Sequence, residues 1–233
     1  MDEFKILSGQ QMLEIDRLQQ RQQKGWKSIP DAGEQMDFEQ VEIRVMPGVY
    51  PPGLSAKLLL QHLPSPEGLR VLDLGTGTGA MALVMASRGA ASVVGTDIAG
   101  AAAYNARQNV QKLKLETSVE IRSGHMFSCI SGLERFDLIL ANLPGRNKAA
   151  GNEIEGAQWD TGFKAHRALF EEARGYLAPG GAIFLVMANY PDLPLVLELA
   201  GENGYRYEVI AKQAADAGDP RIYYLFQFIP ENE

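Results

Sequence analysis

Residues 71–80 read VLDLGTGTGA. Val71, Leu72 and Leu74 belong to a short apolar strand, and Gly75, Gly77 and Gly79 follow at alternate positions before a second apolar run, AMALVMAS. Glycine turns the backbone tightly and leaves no Cβ between the main chain and a ligand. A helix starting just beyond such a loop points its free N–H groups at a polar or anionic guest. The segment therefore predicts strand, ligand-cradling loop and helix, with the strand at Arg70–Leu74 and the helix at about Ala80–Ser87.

Working outward, the same alternation continues. SVVGTD is a strand, AGAAAYNARQNVQKL a helix, and SVEIRS and RFDLILAN are strands. A helix is expected at about Gly162–Leu177, ending in a turn at APGG. The strand AIFLVMAN and the helix LPLVLELAGENG come next. Strands alternating with helices imply a parallel sheet covered on both faces, an α/β fold. The last two runs, YRYEVIAK and RIYYLFQFI, are joined by QAADAGDP without a helix and predict an antiparallel hairpin closing the sheet.

Upstream, FEQVEIRV alternates Val41, Ile43 and Val45 with polar residues as one half-buried strand, and LSAKLLLQHL is a short helix. Met12, Ile15 and Leu18 lie three apart in a polar stretch that Gly25 and SIPDAG should end. The division expected is a helical appendage over 1–37, packed on a main domain over 38–233.

The chain has 233 residues with 45% apolar and 22% charged residues, enough to bury a full core. Its net charge of −7 argues against non-specific nucleic-acid binding, which needs a broad cationic surface. Cys129 is the single cysteine, and His62, His125 and His166 lack metal-ligand spacing, so no disulfide and no metal site are expected. No signal peptide or membrane-length apolar run is present, and a cytoplasmic location is the expectation.

The loop does not have the G-x-G-x-x-G spacing of dinucleotide sites. It reads G-x-G-x-G, with Asp73 two residues before Gly75; a carboxylate there disfavours a pyrophosphate and suits an ammonium group. Asp97 closes the next strand about 20 residues on, where an acid accepts hydrogen bonds from ribose hydroxyls. A ligand with a ribose and an amino group, such as S-adenosylmethionine, meets both conditions.

D-L-G-T-G-T-G followed by Asp97 resembles the cofactor motifs of class I S-adenosylmethionine-dependent methyltransferases. The resemblance implies their Rossmann-like fold, a mostly parallel seven-stranded sheet with a C-terminal antiparallel hairpin. It also implies a cofactor site at Asp73, Gly75, Thr76, Gly77, Gly79, Asp97 and Ile98. In that family the stretch matching IRSGHMFS holds adenine; His125 stands where relatives often carry Asp, and a neutral imidazole accepts one hydrogen bond. Met126 and Phe127 either pack on adenine or belong to the core, and His125 is equally well placed for a helix-cap or surface role.

FDLILANLPG, residues 136–145, resembles the N-P-P-Y motif of enzymes that methylate planar nitrogens. The resemblance gives the Asn142 side chain and the Leu143 carbonyl the task of accepting hydrogen bonds from the target nitrogen, beside Pro144, with Asn142 also next to the cofactor. Leu143 replaces the first proline and Gly145 the aromatic, so the stacking face is lost from the motif; Trp159 and Tyr50 are candidates to replace it. The plainer reading of NLPG is a strand-to-loop turn.

DFEQVEIRVMPGVYPPGLSAKLLL and DTGFKAHRALFEEARGYLAPGG resemble, in the same order, segments of release-factor glutamine methyltransferases and their relatives, a likeness that covers about 37–228. The implied acceptor is a planar amide or amine in a protein, an RNA or a metabolite. A cofactor-binding module without an acceptor site and an NAD-dependent oxidoreductase are the alternatives. The polar segment GRNKAAGNEIEGAQWDTG, 145–162, is either a lid whose Arg146 and Lys148 meet an acidic substrate or a solvated loop.

Overall fold

The computed structural model describes residues 4–231. A 19-residue helix α1 (Gly9–Lys27) opens the chain, followed by the two-stranded hairpin β1 (Glu34–Phe38) and β2 (Val41–Val45) and by α2 (Leu54–His62). Then come β3 (Arg70–Leu74), α3 (Ala80–Ser87), β4 (Ser92–Asp97), α4 (Gly100–Leu113), β5 (Val119–Ser123) and β6 (Phe136–Ala141). The rest is α5 (Glu153–Gly156), α6 (Lys164–Glu172), β7 (Leu177–Ala188), α7 (Leu193–Glu202), β8 (Tyr205–Ala214) and β9 (Ile222–Pro230).

Seven strands form one sheet in the order β5-β4-β3-β6-β7-β9-β8. The strands from β5 to β7 are parallel, and β9 pairs antiparallel with both β7 and β8. This is the Rossmann-like sheet with its terminal hairpin. Side-chain alternation divides the core into two layers. Leu72, Ile139, Ile183 and Leu185 face one side, with Leu169 and Phe170 of α6 and Val196 of α7. Val71, Leu138, Leu140 and Phe184 face the other, with α2, α3 and α4. Burial on both faces is why these strands are continuous apolar runs.

The order reverses between β3 and β6, which opens a crevice at their carboxyl ends. The β1–β2 hairpin is docked beside it by two fully buried asparagines of α4. Asn105 and Asn109 accept from the Met46 and Arg44 N–H groups, and both donate to the Arg44 carbonyl. Asn109 also donates to the Thr78 carbonyl, linking the hairpin to the glycine loop.

Four details depart from the sequence reading. The strand expected from FEQVEIRV is broken by a turn at Glu39 and Gln40, whose φ values are +48° and +69°. Phe38 therefore ends β1, and the boundary expected at 37/38 falls inside a strand. Helix α1 runs through Gly25 to Lys27. The expected helix over 162–177 is shorter, because β7 begins at Leu177 and APGG forms a bulge between the Phe136–Leu177 and Leu138–Ala182 pairs. A Cβ on Gly181 would stand 2.9 Å from the Phe136 carbonyl oxygen, so only glycine fits that close approach.

No helix among the described residues is long and apolar enough to cross a membrane.

Candidate active site

The crevice holds a cavity of about 1150 Å³. Of the residues expected at the site, Gly75, Thr76, Gly77, Asp97, Ile98, His125, Met126, Asn142, Leu143 and Pro144 line it; Asp73 and Gly79 do not.

The loop after β3 is held from two sides. Asp97, at the end of β4, accepts from the Gly77 N–H through Oδ2 and from the Ala99 N–H through Oδ1, each at 2.9 Å. Burial raises the Asp97 pKa against the opposing effect of these N–H groups. The Thr76 N–H donates to the Thr96 carbonyl. Gly75, Gly77 and Gly79 take φ values of +70°, +59° and +81°.

Gly79 packs on α4 rather than facing the cavity. A Cβ there would lie 3.0 Å from the Ala106 Cβ. Combined with the left-handed backbone, this predicts that Gly79→Ala destabilises the fold by about 1–3 kcal/mol, read as a lowered denaturation midpoint.

Asp73 corrects the sequence reading most clearly. It is fully buried and stands behind Thr76, whose hydroxyl donates to its Oδ2 at 2.6 Å. Its Oδ1 has no hydrogen-bond partner among the described residues. Burial pushes its pKa up to about 7, the Thr76 hydrogen bond opposes this, and the nearby Asp97 charge adds to it. The folded chain thus holds this proton more tightly than the unfolded chain. Linkage then makes stability fall as pH rises from about 4 towards 7 and level off above. Asp73→Asn should remove that component, so wild type minus variant, measured by denaturant unfolding across pH 4–8, should decline with pH. A flat difference would contradict the raised pKa.

In the loop after β5, His125 is exposed, Met126 is buried with φ +48°, and Phe127 is a core residue stacked on Tyr176 at 4.7 Å. Ile98 projects into the cavity at 69% exposure.

Strand β6 delivers Asn142 to the sheet edge half-buried, with its side-chain amide making no hydrogen bond to the described residues. Leu143 is buried and approaches Gly75 closely: a Cβ there would lie 3.6 Å from Leu143 Cδ2. The ring nearest Gly145 is Tyr190, just beyond β7. A Cβ on residue 145 would come within 3.0 Å of Tyr190 Cε2. Sequence reading named Trp159 and Tyr50, which do line the cavity, and missed Tyr190. Its signal was an aromatic directly after the strand AIFLVMAN, at the same edge as Asn142.

Segment 146–161 is exposed at Asn147, Ala149, Gly151–Glu153 and Thr161, but Arg146 at one end and Gln158 and Trp159 near the other are buried and tied to α1. Arg146 is buried and donates to Asp16 at 2.7 Å and Gln19 at 2.6 Å, both on α1. Lys148 donates to Asp16 and lies 4.1 Å from the Trp159 ring centroid. Buried Gln23 donates to Gln158 at 2.8 Å, and Trp159 Nε1 donates to Gln19. Asp16 accepts from both cations and ties them to α1, and neither Arg146 nor Lys148 lines the cavity. Helix α1 and this segment together roof the cavity.

Comparison with known proteins agrees with this geometry. The family "Methyltransferase small domain" matches residues 40–213. A release factor glutamine methyltransferase of Shewanella oneidensis is 33% identical over 195 residues, covering 78% of this chain and 67% of that protein. One of Aliivibrio fischeri is 32% identical, covering 74% of this chain and 60% of its own length. Among solved structures, a T. thermophilus 16S rRNA methyltransferase in complex with AdoMet and guanosine superposes with a TM-score of 0.61 at 23% identity, over 86% of this chain and 50% of that one. With the family match covering most of the chain and the sheet order its fold requires, the chain belongs to the methyltransferase small domain family and is a methylating enzyme.

Proposed function

We propose that the chain transfers a methyl group from S-adenosylmethionine to the nitrogen of a planar amide or amine held at Asn142. The observation that carries this reading is the cavity shared by the glycine loop, Asp97 and an Asn142 side chain that has no hydrogen-bond partner among the described residues.

The residues suit the cofactor. Each Asp97 carboxylate oxygen has a lone pair beyond the one given to a backbone N–H, as ribose hydroxyls require. The orphan oxygen of Asp73 leaves a buried carboxyl beneath the loop, which a nearby sulfonium or ammonium favours in its ionised form. His125 and Met126 bracket the adenine end, and the ligand would cover the exposed Ile98.

When bound, the cofactor supplies an electrophilic methyl carbon whose bond to sulfur breaks as the new N–C bond forms, with sulfur keeping the electron pair as a neutral thioether. Asn142 Oδ1 and the Leu143 carbonyl accept N–H hydrogen bonds from the acceptor. This orients its nitrogen towards the methyl carbon and steadies the positive charge that grows on it as the N–C bond forms, after which the nitrogen releases its proton to solvent. Pro144 restricts the backbone of Leu143 before it to extended conformations and so limits that carbonyl's direction. The names of the two glutamine methyltransferase relatives support an amide nitrogen as the acceptor.

Labelled methyl transfer from S-adenosylmethionine into the protein, RNA and small-molecule fractions of a cell extract tests the reading. Label in one fraction is expected. Cofactor binding without label in any fraction would favour a binding module instead.

A further inference from the structure

Beyond Asn142 the cavity is walled by residues from three distant parts of the chain: Tyr50 before α2, Tyr190 after β7, and Arg221 with Tyr223 at the start of β9. Tyr190 rests its ring against the backbone of Gly145, where a Cβ would press on it at 3.0 Å. Arg221 is buried and clamped by Asp219, which accepts from Nε at 2.9 Å and from Nη2 at 2.6 Å. Its guanidinium lies 5.5 Å from the Tyr223 ring centroid, and Nη1 donates to the Tyr190 hydroxyl at 3.4 Å.

This wall is rich in donors. The Tyr190 oxygen accepts from Arg221, which leaves its own hydrogen for the cavity. The Tyr50 and Tyr223 hydroxyls make no hydrogen bond to the described residues. Burial raises the pKa of both phenols against the opposing Arg221 charge, so both stay protonated. Asp219 does not line the cavity; of the carboxylates that do, Asp97 and Glu153 lie near each other by the glycine loop, and Asp160 is engaged by His166 and by the Ala165 and His166 N–H groups. The two ends therefore differ in chemistry: acceptors at Asn142, donors and aromatic faces opposite. The roof of α1 and segment 146–161 is tied by buried glutamines, which favours a free small molecule over a folded protein's loop.

We propose that Tyr50, Tyr190, Tyr223 and Arg221 form the acceptor pocket, built for a small planar molecule that offers an N–H to Asn142 and a carboxylate to the hydroxyl and guanidinium donors. The proposal rests on the methyl-transfer reading of Asn142, and it places the missing aromatic face on Tyr190.

The test uses the full chain, first titrated with S-adenosylhomocysteine and then, when saturated, with three probes by calorimetry. 4-Aminobenzoate has the ring, the N–H and the carboxylate; aniline lacks the carboxylate; acetate lacks the ring. 4-Aminobenzoate should bind about tenfold or more tighter than either fragment. The double variant Tyr50→Phe, Tyr223→Phe keeps both rings, and it should erase about tenfold of that preference while aniline binding is unchanged. Tyr190→Leu should weaken both aromatic probes. Equal affinity for the three probes, or a double variant that binds 4-aminobenzoate as wild type does, overturns the pocket. Tighter binding of a glutamine-containing peptide than of 4-aminobenzoate overturns the small-molecule assignment. No binding of S-adenosylhomocysteine would instead sink the methyl-transfer reading on which the pocket rests.

Discussion

Asn142→Ala should lower methyl transfer by about 10²- to 10³-fold and leave the cofactor dissociation constant unchanged. The expectation follows from where the side chain stands. Asn142 caps the strand next to the switch point, half-buried in the cavity, and its side chain makes no hydrogen bond to the described residues. Removing it strands no buried partner, so the fold should keep its stability. What is lost is the acceptor that orients the target nitrogen and gains strength as that nitrogen becomes positive in the transition state. The effect belongs in kcat more than in cofactor affinity. Single-turnover transfer, once an acceptor fraction is in hand, measures it directly. Activity equal to wild type would make NLPG a plain turn.

Asp97→Ala should weaken binding of S-adenosylhomocysteine by about 1–3 kcal/mol. Two losses add here. The carboxylate no longer accepts from ribose hydroxyls, and the Gly77 and Ala99 N–H groups lose the partner that fixes the loop. Asp97→Asn retains one acceptor oxygen and should fall between wild type and Ala. Calorimetric titration of the three proteins gives the order; an unchanged affinity in Asp97→Ala would contradict the ribose assignment.

Much of this site was legible because the chemistry coincides with strong local signals. The parallel strands are apolar runs since helices cover both faces, and alternate glycines after one of them are hard to explain without a close approach. Asp97 and Asn142 could be placed because each ends such a run. Legibility failed where tertiary contacts overrode the local pattern. Glu39 and Gln40 turn the hairpin with positive φ values that side chains rarely adopt, so no glycine or asparagine marked the turn. The stripe Met12, Ile15, Leu18 suggested an apolar face. That face is there, with Ile15 buried and Met12 and Leu18 packed beside it, but the stripe does not show that α1 also buries Gln19 and Gln23 against the polar segment it covers. The sequence places Asp73 beside the cavity, but its spacing does not show that Thr76 stands in front of it. Tyr190 was invisible as a site residue because it lies 45 positions from Gly145 in the chain and meets it only through the pairing of β6 with β7.

The central claim is that one crevice holds the methyl donor and the acceptor together. A crystal structure of the chain with S-adenosylhomocysteine tests it most directly. The claim predicts ribose hydroxyls on Asp97, adenine beside His125 and Met126, and the sulfur facing Asn142. A ligand seated away from the glycine loop, or bound with its sulfur turned from Asn142, would contradict it.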